Sequence, residues 1–357
     1  MLTWPGGATT AAPAAWLYDN AADAFDPASG HRLRSALELR AAARVLEARI
    51  EDDALVIRFA PLGERRLVML SALNQRPADR RPEPALWATS GAIEAMLPIS
   101  FRAFLADDDA LAAALGAIVR HGIAFIAGAG QAPRTVEHAV SRFGFIRETN
   151  YGRLFDVREE PSPTHLAYTA AGLDLHTDNP YRDPEPTLQL LHAIETSASG
   201  GESCFADGFA HAEELRRASP VSFRILAETT VEFAYRAADG ARFSARTPII
   251  ETCPDGSLKA LRVNHRALVS PGPMSGVTEA WYEAYLDLYE RLHAPGAVLR
   301  RRLAPGDMVI FDNRRVLHGR ASYRSTGPSG RWLQGCYADR DGLLATLTRL
   351  EARGAAS

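Results

Sequence analysis

Apolar positions in this chain follow two rhythms, and their alternation predicts the elements. Short runs rich in Val, Ile, Leu and aromatics, bounded by Gly, Pro, Asn and Asp, predict strands at residues 14–18, 54–59 and 64–70. Residues 74–84 then carry three prolines among charged side chains and no periodicity, which predicts a linker. After Ser100 the rhythm becomes helical: Leu111, Leu115, Ile118 and Val119 share one face, and the helix feeds an apolar strand at 122–126. A second helix is expected at 135–143, a strand at 151–157 and a loop at 159–165.

The second half reads mostly as strands. Residues 188–194 and 204–207 are buried-strand patterns, and Asp207 is placed to cap a helix over 209–217. Residues 231–235 and 242–244 flank Asp239-Gly240, a hairpin signal, and Pro254-Asp255-Gly256 marks another turn. Trp281, Tyr285, Leu288 and Leu292 recur at helical spacing, a stripe read first as core packing. A turn at 302–307 leads into the strand 308–311. Many strands with few helices predict a mainly β protein with flanking helices: a double-stranded β-helix, or jelly roll, over 91–357, preceded by a small β-rich domain over 1–90.

Composition narrows the partners. With 357 residues and 46% hydrophobic content the chain can bury a large core. A net charge of -3 argues against a nucleic-acid surface, and the short run Arg300-Arg301-Arg302 reads as a helix end or strand edge. No apolar run approaches the length of a membrane span, and the N-terminus lacks the pattern of a signal peptide. Three scattered cysteines, Cys204, Cys253 and Cys336, do not make a disulfide framework, so a reducing, cytoplasmic compartment is expected.

The candidate chemistry lies at His176-Thr177-Asp178. In extended chain, residues i and i+2 point to one side, so His176 and Asp178 can hold one metal ion while Thr177 turns away. His318, far downstream, can complete a face of two imidazoles and one carboxylate. That donor set leaves coordination positions open and suits Fe(II) oxygenases. Ser203, in Gly200-Gly201-Glu202-Ser203, and Arg331 add a hydroxyl and a cation where an anionic co-ligand could be held.

These stretches resemble the γ-butyrobetaine hydroxylases within the taurine-dioxygenase-like Fe(II)/2-oxoglutarate oxygenases. The resemblance is carried by Trp16 through Asn20, Tyr168 through Pro180, Gly200 through Phe209, Phe311 through Arg320, and Gln334 through Asp341. It implies a jelly-roll enzyme that uses Fe(II), 2-oxoglutarate and O2, with His176, Asp178 and His318 as iron ligands. Arg331 would hold the distal carboxylate of 2-oxoglutarate, partnered by Ser203; a planar guanidinium matches a carboxylate at two points. Tyr151, Phe155, Tyr168 and Tyr337 fall where the family builds a cage for a trimethylammonium group, which can be recognised only through attraction to aromatic faces. A homodimer is also expected from the resemblance.

Two departures matter. Members with a zinc-binding N-terminal domain carry cysteines after the Trp-Leu segment, whereas residues 21–26 here contain none, so that domain is expected to fold without zinc. His165 stands where the family has a carboxylate-binding asparagine, and Arg266 lies beside the other such position, Asn264. Added positive charge suits a phosphonate, and a related enzyme hydroxylates 2-(trimethylamino)ethylphosphonate. The favoured reading is hydroxylation of that compound at the second carbon from nitrogen. The alternatives are conversion of γ-butyrobetaine to L-carnitine, a sulfonate or other small-acid dioxygenase, and a jelly-roll binding protein without catalysis.

Overall fold

A computed structural model describes residues 2–3, 9–41, 44–51, 54–60, 62–67, 83–158, 169–196, 200–237, 239–269, 278–323 and 331–354. The chain divides into two compact units, Met1–Arg81 and Pro82–Ser357. Residues 74–82 of the expected linker and residues 159–165 lie outside the described residues.

The first unit holds an antiparallel sheet of Arg44–Glu51, Ala54–Ala60 and Gly63–Leu67. Residues 14–18, expected as a strand, form the α-helix Ala14–Asp19 instead. Pro13 at the N-cap sets the entry, and alanine is the best helix former; a run of five residues is too short for periodicity to decide. Leu17 and Tyr18 of this helix pack with Leu55, Ile57 and Phe59.

In the second unit, the described strands form two main sheets. The larger runs in the order Ile99–Ser100, Ile123–Ala127, Met308–Asp312, Leu188–Glu195, Trp332–Ala338, Ile146–Arg147, with Phe155–Arg158 also paired to Trp332–Ala338. The smaller runs Leu173–His176, Val316–Arg320, Ser203–Asp207, Leu299–Arg301, and its last member carries two of the three consecutive arginines on the sheet edge. Apart from the parallel pairing of Ile99–Ser100 with Ile123–Ala127, the pairings within these two sheets are antiparallel.

Alternation along the strands builds the layers. Ala124, Ile126, Leu188, Leu190, Met308, Ile310, Cys336 and Ala338 face outward against the helices Asp108–His121 and Arg340–Gly354. Ile123, Phe125, Leu191, Val309, Phe311 and Leu333 face inward and meet Phe205, Leu299 and Val316 of the smaller sheet. Phe205 stands edge-on to both Phe125 and Phe311, at 6.1 and 5.7 Å. The smaller sheet is backed by a second core containing Trp281, Tyr285, Leu288 and Leu292, the predicted stripe. Two facing sheets clothed by helices are the jelly-roll arrangement read from the pattern.

Local chemistry sets the boundaries. The helical region after Ser100 is two helices, Phe101–Ala106 and Asp108–His121, because Asp107 leaves helical geometry and accepts a hydrogen bond from the Asp109 amide. Asp207 caps the helix Gly208–Ala218 as expected, accepting from the amides of Phe209 and Ala210. The strand expected at 151–157 starts only at Phe155, since Tyr151 and Gly152 sit in a turn.

Candidate iron centre and substrate cavity

Strand pairing brings the three candidate ligands together. His176 ends the strand Leu173–His176 and lies directly across from His318 on Val316–Arg320, with ring centroids 4.3 Å apart. Asp178 follows two residues beyond the strand end. Its Oδ1 is 3.4 Å from His176 Nε2 and its Oδ2 is 3.7 Å from His318 Nε2. One ligand atom from each residue lies within 4.8 Å of the others, and this is the sole such cluster of three or more among the described residues.

The protonation states suit a metal. His176 Nδ1 lies 2.7 Å from the Asp174 carbonyl, so Nδ1 donates and Nε2 is the ring nitrogen turned toward Asp178. Burial pulls His318 down to about 3, which keeps its imidazole neutral. Burial acts to raise the Asp178 carboxyl, but the facing His176 imidazole and the Tyr337 hydroxyl hold it well below the usual carboxylate range. Two imidazoles and an ionised carboxylate, with no thiolate, fit Fe(II) with further positions left for other ligands.

The segment after His176 is pinned from several sides. Thr177 turns away, as the alternation required, and its amide donates to the Val263 carbonyl at 2.7 Å. Asn313 takes a hydrogen bond from the Asp178 amide at 2.8 Å and returns one to the Asp178 carbonyl at 3.0 Å. Asn313 sits between the strands Met308–Asp312 and Val316–Arg320, so the turn that leads to His318 also grips Asp178.

A cavity of about 170 Å³ opens beside the three ligands. At one end Arg331 is only 5% exposed and has no ion-pair partner among the described residues; its guanidinium is 3.5 Å from Ser203 Oγ. Burial, then the neighbouring Arg320, lowers Arg331 to about 10, still cationic at neutral pH. Arg320 also lines the cavity, with its guanidinium donating to the carbonyls of Thr169 and Ala171. A buried cation is costly without an anion, and 2-oxoglutarate supplies a carboxylate of the right shape.

The other end is aromatic. Phe155 and Tyr337 stack at 4.9 Å, and Tyr151 joins the wall. Gly335, paired with Phe155 across the strands, makes the stack possible: a Cβ there would lie 2.5 Å from Phe155 Cζ. Tyr168 and His165 lie outside the described residues. Tyr181 and Tyr235, not singled out in the sequence, stack at 5.0 Å and line the same cavity, and the Tyr181 and Tyr151 hydroxyls are 3.1 Å apart.

Arg266 lines the cavity from an exposed position. Asn264 also lines it, but its amide donates to the Thr177 carbonyl at 3.1 Å, which leaves a buried Oδ1 without a partner among the described residues. Asn264 is therefore in part a brace for the ligand segment. Asn179, 3% exposed and in the left-handed region at φ 54°, lines the cavity with an unpartnered Nδ2 donor. Gln189 is a further wall residue that sequence reasoning passed over. It is a polar residue on an inward position between Leu188 and Leu190 of a buried strand, and that misfit was its signal.

Residues 81–337 match the family model described as Taurine catabolism dioxygenase TauD, TfdA family. The chain is 38% identical over 250 residues to the gamma-butyrobetaine dioxygenase of Pseudomonas sp. (strain AK-1), a match covering 70% of this chain and 64% of that protein. It is 32% identical over 268 residues to the mitochondrial trimethyllysine dioxygenase of Mus musculus, covering 73% of this chain and 62% of that one. The matches thus span a little under two thirds of each relative. The crystal structure of a taurine dioxygenase from Burkholderia xenovorans aligns with a TM-score of 0.50 at 17% identity, covering 65% of this chain and 82% of that chain, and supports the fold.

Proposed function

We propose, for a chain that belongs to the taurine catabolism dioxygenase TauD/TfdA family, Fe(II)- and 2-oxoglutarate-dependent hydroxylation of a small trimethylammonium substrate at the second carbon from nitrogen. The favoured substrate is 2-(trimethylamino)ethylphosphonate. The observation that carries the reading is the Phe155–Tyr337 stack at 4.9 Å, whose tyrosine hydroxyl is 2.9 Å from Asp178 Oδ2. An aromatic face is thus held beside the candidate metal carboxylate. A quaternary ammonium cannot donate a hydrogen bond, and such faces are what attract it.

His176, Asp178 and His318 would hold the iron, and Arg331 with Ser203 the distal carboxylate of 2-oxoglutarate. Iron, 2-oxoglutarate and O2 together supply the oxidising equivalents: one oxygen atom enters the substrate C–H bond, the other enters succinate, and CO2 leaves. The chain's own residues position that carbon. Tyr151, Phe155 and Tyr337, with Tyr168 from the sequence, take the onium end and exclude water. Arg266 and the free donor of Asn179, with His165 and Asn264 from the sequence reading, take the anionic end.

The second reading, γ-butyrobetaine hydroxylation to L-carnitine, is favoured by the named activity of the Pseudomonas relative. Both compounds place the oxidised carbon second from nitrogen, so one onium site serves either and the anion pocket discriminates. The test is oxygen uptake and succinate formation with Fe(II), 2-oxoglutarate and each compound. A higher kcat/KM for the phosphonate is expected; the reverse order would transfer the assignment, and no turnover of any trimethylammonium compound would sink both.

A further inference from the structure

The candidate metal carboxylate is gripped from the opposite sheet. Gln189 and Tyr337 are directly paired residues on the neighbouring antiparallel strands Leu188–Glu195 and Trp332–Ala338. Directly opposite residues point to the same face, and here both reach Asp178, which belongs to the segment leaving the smaller sheet. Gln189 Nε2 and the Tyr337 hydroxyl each donate to Oδ2, at 2.9 and 2.9 Å. Oδ1 is left facing His176 Nε2 at 3.4 Å. An oxygen that already accepts two hydrogen bonds has little left for a metal, so Oδ1 is the atom presented to an ion.

The same tyrosine has a second contact. Its ring stacks on Phe155 and forms the aromatic wall of the cavity. One side chain therefore touches both the metal carboxylate and the space assigned to the onium group. Rotation of the ring away from Phe155 would draw its hydroxyl off Asp178, because both contacts depend on one ring orientation.

We propose that Tyr337 is a positioning residue shared by the two halves of the site. Its hydroxyl, with the Gln189 amide, holds Asp178 as a one-oxygen metal ligand, and its ring faces the substrate, so that metal binding and quaternary-ammonium binding are coupled through it. The metal half stands on the hydrogen bonds alone; the coupling half rests on the proposed function. Coupling of this kind is reciprocal: a ligand that fixes the ring tightens the metal, and the metal tightens the ligand.

The experiment is titration of the full-length apoprotein with Co(II), a stand-in for Fe(II) that is stable in air, with and without γ-butyrobetaine as the probe. Tyr337→Phe keeps the aromatic face and removes the hydroxyl, and Gln189→Leu removes the other donor at similar volume. Each is expected to weaken Co(II) binding by about 10–100-fold, the usual effect of losing a hydrogen bond to a metal ligand. Thermal unfolding of the apoproteins is the check that each variant remains folded. In the wild type the probe should strengthen Co(II) binding; in Tyr337→Phe it should still bind but no longer do so. Unchanged Co(II) affinity in both variants would overturn the positioning role, and an equal probe effect in wild type and Tyr337→Phe would overturn the coupling. Failure of the wild type to bind the probe, with metal affinity still lost in the variants, would instead count against the trimethylammonium reading.

Discussion

Asp178 is held at its amide, its carbonyl and its Oδ2, whereas one residue further along Asn179 leaves a buried donor without a partner among the described residues. Asp178 has its amide and carbonyl held by Asn313 and its Oδ2 held by Gln189 and Tyr337. Asn179 Nδ2 and Asn264 Oδ1, both buried in the cavity wall, have no hydrogen-bond partner among the described residues. The candidate metal carboxylate is fixed by neighbouring side chains, which favours a defined coordination geometry. In the proposed substrate half of the cavity, buried atoms left unpaired would discriminate strongly, since a ligand that satisfies them is favoured over one that does not. Reaction class and substrate choice are therefore carried by different kinds of structure in one cavity.

The largest effect should come from Asp178→Ala. It removes the carboxylate from the ligand set, and both metal binding and turnover should fall to background in Co(II) titration and succinate assays. If Asp178→Ala still bound metal and turned over, the three-ligand centre would be wrong. Next, Arg331→Met removes the buried cation. Hydrogen bonds to charged groups contribute about 1.5–3 kcal/mol, so the KM for 2-oxoglutarate should rise roughly ten- to hundredfold. Co(II) affinity should stay unchanged in this variant, which separates co-substrate from metal.

On the aromatic side, Phe155→Ala should weaken the onium substrate by about 0.5–2 kcal/mol, seen as a KM increase with the 2-oxoglutarate KM preserved. A matched loss for an uncharged isostere, with tert-butyl in place of trimethylammonium, would mean simple packing. The smallest effect belongs to Arg266→Ala. Arg266 is exposed, so solvent and salt screen it. A modest rise in KM for the phosphonate, larger at low ionic strength and smaller for γ-butyrobetaine, is expected from salt-dependent kinetics; no difference between the two substrates would remove Arg266 from the anion pocket.

Much of this architecture was legible in the chain. The apolar runs announced the strands near 122–126, 188–194, 204–207 and 308–311, because a strand between two layers must be apolar on each buried face; Val316–Arg320 and Trp332–Ala338 were not read as strands. His176 and Asp178 were readable as a pair from their spacing, and Asp207 as a helix cap from chemistry that operates within three residues. The helix at Ala14–Asp19 was not readable, since five apolar residues satisfy either period and Pro13 tips the balance.

What local pattern could not settle was which distant side chains converge. Gln189, Asn313, Tyr181 and Tyr235 lie on four separate segments and meet near Asp178 only through strand register and turn geometry. Within a buried strand a glutamine has no partner to announce it; its role exists only once Tyr337 stands opposite and Asp178 lies above both. The ligands' identities were thus determined by sequence, through residue type and spacing. The grip on those candidate ligands and the unpaired atoms in the cavity wall were decided by tertiary structure, because hydrogen bonds form across about 3 Å of space, whatever the separation along the chain.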